Sequence, residues 1–283
     1  MAEPLVDAHL HLWDPARLRY RWLDGAPLLN RAYLPADLAA ASAGLALEQL
    51  VFVQCDCDPG QALEEAHWVS ELARAAPRIA AIVAHAPVER GEAVRPFLEA
   101  LASLPLVRGV RRLIQGEDDV AFCARPEFIA GVAELARYGM SFDVCARKEQ
   151  LPAVRELAAR CPQVSFVLDH CAKPGIRARE LEPWKGDLHA LSRLPNVSCK
   201  ISGLVTEAEP GSWQAADLQP YIDHAIACFG PERCMFGGDW PVVLLASSYQ
   251  RWSEAFLAAI AALGPEQRRQ LCSATARRVY RLS

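Results

Sequence analysis

Apolar positions in this chain fall in short continuous runs. Eight can be marked, at residues 5–9, 49–54, 79–85, 106–113, 141–145, 164–170, 197–201 and 234–239. Most are rich in β-branched residues and show little polar alternation. That is the pattern of strands buried on both faces of a parallel sheet. The runs recur roughly every thirty residues, the length of a strand–helix–strand unit. Between them, helical periodicity predicts helices over 60–76, 126–138, 148–160, 217–229, 248–263 and 265–280. Pro126 sits where a missing N–H costs nothing, and Gly139 follows as a stop. Strands alternating with helices predict an α/β fold, and eight of them favour a closed (β/α)8 TIM-like barrel over an open sheet. No linker or repeat interrupts the pattern, so residues 1–283 are read as a single domain. Two connections are irregular, 13–47 and 173–185. Both follow strand ends, where barrel active sites are built, and both are expected to form substrate walls or lids.

Composition narrows the function. The chain has 283 residues, is 52% hydrophobic and carries a formal charge of -4. It has no basic block, which argues against nucleic-acid binding. No apolar stretch is long enough to span a membrane. The start has no basic, then apolar, signal pattern, so a cytoplasmic location is expected. The ten cysteines include no CxxC pair and read as small buried hydrophobes. Cys55 and Cys57 are the one close pair, and a metal or redox role there is the weaker reading.

The chemistry gathers at the strand ends. Leu5 to Trp13 alternates apolar and polar residues, so strand geometry puts Asp7, His9 and His11 on one face and Val6, Ala8 and Leu10 on the other. Two imidazoles on one face can converge on a divalent metal, or on an oxygen about to gain charge. The other runs end in Gln54, His85, Arg111 or Arg112, Asp143, Asp169 with His170, Lys200, and Asp239. Each has a bland reading as a cap or an ion-pair partner. Together they are easiest to explain by one shared polar pocket, because unpaired buried charge is costly. Asp239 stands in Gly237-Gly238-Asp239-Trp240-Pro241 and could take a proton from water as a general base. Trp240 could stack on a ring-shaped substrate or merely fill a wall.

These motifs carry a resemblance. Asp7-Ala8-His9-Leu10-His11, His170, and the Gly-Asp-Trp-Pro element around Asp239 resemble the amidohydrolase superfamily. Val107 to Arg111, Asp169 to Pro174, Lys200 to Leu204 and Phe229 to Arg233 are similar to its branch of lactone hydrolases acting on sugar lactones, pyrone dicarboxylate lactone and muconolactones. The likeness spans nearly the whole chain. There are departures. The bridging lysine and extra histidine of binuclear members are not evident, and the fifth strand ends at Asp143, which argues against two metals. Gly238 stands where relatives often have Ser, and Thr275 where they usually have Asn. The family motif also decides for Arg111 over Arg112.

The resemblance implies opening of a small lactone, a sugar aldonolactone such as L-fuconolactone first. Asp239 would activate water, and His9, His11 and His170 would serve either as direct donors or as ligands, with Asp239, of one Zn²⁺-type ion. A metal-independent route stays open. Gln54, His85, Arg111, Asp143, Lys200 and Trp240 would bind the substrate. The rivals are a metal-dependent decarboxylase of the same branch and a non-catalytic barrel that binds a sugar or small acid. The expected partner is a small lactone, with no nucleic acid and no membrane.

Overall fold

In the computed structural model, residues 3–283 are described. Every one of the eight apolar runs becomes a strand: β1 Leu5–Leu10, β2 Leu47–Val53, β3 Ile79–Ala84, β4 Val107–Arg111, β5 Ser141–Val144, β6 Phe166–Leu168, β7 Val197–Ile201 and β8 Cys234–Phe236. All neighbours pair in parallel and in sequence order. Closure comes through a Leu10–Trp240 bridge, with the His11 N–H donating to the Trp240 carbonyl at 2.7 Å and the Asp239 N–H to the His9 carbonyl at 2.7 Å. The fold is the expected (β/α)8 barrel.

Continuous apolar sequence was needed because both strand faces are covered. One small cluster takes Val6, Ala8, Val51, Val53, Ala81 and Val83, with Met235, from several strands and packs them against Ala276 and Tyr280. It fills the barrel's interior, plugged by the C-terminal helix Thr275–Tyr280. The larger cluster lies between strands and helices. Helix Ala62–Ala75 carries Glu64 in its first turn and Arg74 in its last, complementing the helix dipole. Ser248 caps helix Tyr249–Ala259 by accepting the Arg251 N–H at 3.1 Å.

Strands β6 and β8 are shorter than their apolar runs, because the chain turns sharply just beyond them. His170, Cys171, Ala172 and Lys173 after β6, and Asp239 after β8, all have positive φ. The predicted helix over 126–138 tightens to a 3₁₀ turn at Glu134–Tyr138, and Gly139 ends it in the left-handed conformation at φ 60°. The long 13–47 connection holds a 3₁₀ turn, Arg21–Gly25, and a short helix, Pro35–Ala41. Mutual backbone hydrogen bonds between Trp13 and Tyr33 (3.2 and 2.8 Å) pin it down. All ten cysteines are free thiols, and nine are buried. Among the described residues no helix is long and apolar enough to cross a membrane.

Candidate active site

Strand β1 corrects the simple alternation. Its register shifts between Asp7 and Leu10. Val6 and Ala8 face the interior cluster, yet His9 also turns inward, to the site. Asp7 does not join it. The Asp7 carboxylate instead accepts the His9 N–H at 2.9 Å, the Gly238 N–H at 2.8 Å and the Tyr249 hydroxyl at 2.9 Å. Burial raises its pKa to about 6, against these hydrogen bonds. Asp7 thus ties β1 to the end of β8. A Cβ on Gly238 would lie 2.2 Å from the Tyr249 ring and 2.4 Å from Asp7 Oδ2, so Ser cannot enter here while Tyr249 stays.

At the rim, four side chains from opposite ends of the sequence meet. Asp239 Oδ1 lies 3.7 Å from His9 Nε2, 3.4 Å from His11 Nε2 and 3.9 Å from His170 Nε2. The two β1 imidazoles face each other, Nε2 to Nε2, at 3.2 Å. Each outer nitrogen is held from behind. His11 Nδ1 donates to the Val53 carbonyl at 2.7 Å, His9 Nδ1 lies 3.2 Å from Asp169 Oδ1, and His170 Nδ1 lies 2.8 Å from Ser202 Oγ. With its Nδ1 proton committed to a carbonyl, a neutral His11 presents a lone pair at Nε2.

Burial keeps the His9 and His170 imidazoles neutral. Burial lowers the His9 pKa well below the usual histidine range, although Asp169 pulls it up. Burial likewise takes His170 down to about 4, with Asp239 opposing. Burial would raise Asp239; protonated, the neighbouring imidazoles would outweigh it and hold the carboxyl below its ordinary range, and neutral, they turn lone pairs toward it. Electron pairs from a carboxylate and imidazoles therefore converge on one point, with the outer nitrogens supported as metal-ligating histidines are. His9, His170 and Asp239 offer ligand atoms within 4.8 Å of one another, and His11 completes the set. This donor set fits a Zn²⁺-type ion with an open position. A second group, Cys145, Asp169 and His170, shares a member with the first. Its carboxylate already faces Lys200 at 3.0 Å and Arg111 at 3.2 Å, so the first group is the better fit for a cation.

A cavity of about 270 Å³ opens over this cluster. His11, His170, Asp239 and Arg111 line it. Arg111 Nη1 lies 3.4 Å from His9 Nε2, and Arg112 points away to Glu89 at 3.1 Å.

Several expected substrate contacts are elsewhere. Asp143 and Lys200 are wholly buried beneath the floor, paired at 2.6 Å. Gln54 is also wholly buried, and its Oε1 accepts the Asp56 N–H at 2.6 Å. His85 ends β3 outside the cavity wall, and burial with nearby Arg112 takes its pKa to about 4. Trp240 is buried edge-on against Tyr33 (5.3 Å, 86°), away from the cavity. The aromatic wall is made by Trp13 and Trp22 of the long first loop, and the polar rim by Asp56, Gln115 and Lys173. Loop residues have no periodicity to reveal them. Trp13, Trp22 and Lys173 fall in the 13–47 and 173–185 connections read as substrate walls, whereas Asp56 and Gln115 carried no such signal.

The family model for amidohydrolases matches residues 6–282. The chain belongs to the amidohydrolase family. This amidohydrolase is 35% identical to an L-fucono-1,5-lactonase of Burkholderia multivorans, over 98% of this chain and 96% of the relative. It is 30% identical to an L-fucono-1,5-lactonase of Burkholderia ambifaria, over 98% and 95% of the two chains. A zinc-bound amidohydrolase structure from Burkholderia multivorans superposes with a TM-score of 0.87 at 34% identity, covering 99% of this chain and 100% of that one.

Proposed function

We propose that this amidohydrolase opens a hydroxylated lactone, a sugar aldonolactone such as L-fuconolactone, to its hydroxy acid. The observation that carries the reading is Asp239 facing three imidazoles under a cavity sized for one ring. The two Burkholderia lactonases, similar over nearly their whole length, support the substrate class.

Asp239 is the base. Its Oδ1 is turned to the imidazoles, while among the described residues no hydrogen bond engages Oδ2. Oδ2 takes a proton as water attacks the ring carbonyl. When bound, a divalent ion held by His9, His11, His170 and Asp239 supplies Lewis-acid polarisation of the carbonyl and a lowered pKa for water. The ring C–O bond then breaks, and protonated Asp239 returns its proton to the leaving alkoxide. Ser202, Asp169 and the Val53 carbonyl hold the imidazoles in orientation throughout. Trp13 and Trp22 exclude water from the apolar side of the ring.

A pH-indicator screen over a lactone library, with and without chelator, tests the assignment. Sugar aldonolactones should release acid fastest. Asp239→Asn should cut turnover by about a hundredfold or more with the fold intact. A folded, fully active Asn variant excludes Asp239 as the base, and a screen without acid release excludes the lactonase.

A further inference from the structure

We infer that Asp56 sets the substrate class of this site, accepting hydrogen bonds from the hydroxyls of a neutral polyhydroxylated lactone and turning away lactones that carry a carboxylate. The inference rests on the lactonase reading.

Asp56 follows the end of β2 and sits at the cavity mouth. It adopts φ 57°, a left-handed conformation that Asp tolerates better than most residues. Its N–H is held by Gln54 Oε1, itself fully buried, so the chain is fixed in the turn that places Asp56 in the cavity wall. The next carbonyl back, of Cys55, accepts the Trp22 indole N–H at 2.8 Å. The carboxylate and the aromatic wall are thereby built on one support. A sugar ring asks for that pairing, an apolar face to cover its C–H groups and an acceptor for its hydroxyls.

The charges lining the cavity point the same way. Its two cations are already committed. Arg111 faces Asp169 at 3.2 Å, and Lys173 faces Glu207 at 3.3 Å. The Asp56 carboxylate has neither an ion-pair partner nor a side-chain hydrogen bond among the described residues. Asp56 is exposed at the mouth, and Arg111 and Arg112 act on it only from a distance. Gln115 adds a donor to the same rim, because its Oε1 is taken by the Cys145 thiol at 3.3 Å while its Nε2 is free among the described residues. An incoming hydroxyl meets a strong charged acceptor, whereas an incoming carboxylate meets uncompensated negative charge.

Two variants test this without confounding the turn. Asp56→Gly removes the side chain and tolerates positive φ. Asp56→Asn keeps an acceptor oxygen and the turn while losing the charge. The readouts are kcat/KM for a sugar-acid 1,5-lactone against γ-butyrolactone, which has no hydroxyls, and inhibition by 2-pyrone-4,6-dicarboxylate. In Asp56→Gly the sugar-to-butyrolactone ratio should fall about tenfold or more, chiefly through KM, the scale of a lost hydrogen bond to a charged group. In Asp56→Asn the dicarboxylate should inhibit several-fold more tightly. A ratio within about twofold of the parent, or unchanged inhibition, overturns the role of Asp56 and leaves the lactonase standing. A parent that opens neither lactone overturns both.

Discussion

Lys200 Nζ lies 2.6 Å from Asp143 Oδ2, and neither side chain reaches solvent. Asp169 Oδ1 stands 3.0 Å from the same ammonium, His9 Nδ1 3.2 Å from it, and the Tyr280 hydroxyl donates to Asp143 at 2.6 Å. This network underlies His9 instead of touching substrate. Removing the cation leaves two carboxylates buried with less compensation. Lys200→Met should therefore cost about 3–5 kcal/mol of stability. Lys200→Met/Asp143→Leu should recover part of that loss, since removing both partners of a buried pair costs less than removing one. Urea denaturation checks both. A Lys200→Met protein of parental stability with only a raised KM would return Lys200 to the substrate.

Gly203 backs His170. It has φ 61°, and a Cβ there would lie 2.5 Å from His170 Nδ1. Gly203→Ala combines backbone strain with displacement of the imidazole. Ser202→Ala removes only the oxygen 2.8 Å from that nitrogen. Loss of such an outer partner typically costs about 10–100-fold in metal affinity or activity. Ser202→Ala should fall in that range with the fold kept, and Gly203→Ala should fall further. Steady-state kinetics with circular dichroism decides. Equal activity in Gly203→Ala and the parent would show that His170 need not hold its place.

The donor set predicts how the protein answers zinc. An ion bound only by the folded state stabilises it by about 4 kcal/mol at a thousandfold excess over Kd. Chelator-treated protein should therefore melt several degrees higher in zinc held well above Kd, and His170→Ala should lose most of that rise. Differential scanning calorimetry and a metal titration check it. A rise that persists in His9→Ala/His170→Ala would put the ion elsewhere.

The barrel was legible because strands buried on both faces must be apolar throughout, and eight such runs leave few topologies. His9, His11, His170 and Asp239 were legible too, since each stands at a strand end. What failed was side-chain direction. One register shift in β1 parts Asp7 from His9. Asp143 and Lys200 do point inward, but one layer too low, and nothing in a strand's period gives depth along the barrel axis. Gln54 showed polarity without showing that its partner is the Asp56 N–H two residues on. The wall residues Trp22, Asp56 and Gln115 come from segments whose shape is set by tertiary contacts, such as Trp22 Nε1 to the Cys55 carbonyl.

Glu65 gives a prediction in pH. It is buried in helix Ala62–Ala75 and accepts the Cys55 N–H at 3.2 Å. Burial raises its pKa from 4.5 to about 7, with that hydrogen bond opposing. Well below pH 4.5 the carboxyl is protonated both folded and unfolded, so it contributes no pH dependence there. Between pH 4.5 and 7 the unfolded chain releases the proton while the folded chain keeps it, so this group lowers stability as pH rises. Above pH 7 both states are ionised and the penalty levels off. A gap of roughly two and a half pH units corresponds to about 3 kcal/mol. Glu65→Gln removes this dependence while keeping an acceptor for Cys55. The variant should gain on the parent steadily from pH 5 to pH 7.5 and hold a constant lead beyond. Melting temperatures across that series measure the lead. A lead that shrinks with rising pH would mean that Glu65 is ionised in the fold at an ordinary pKa or below.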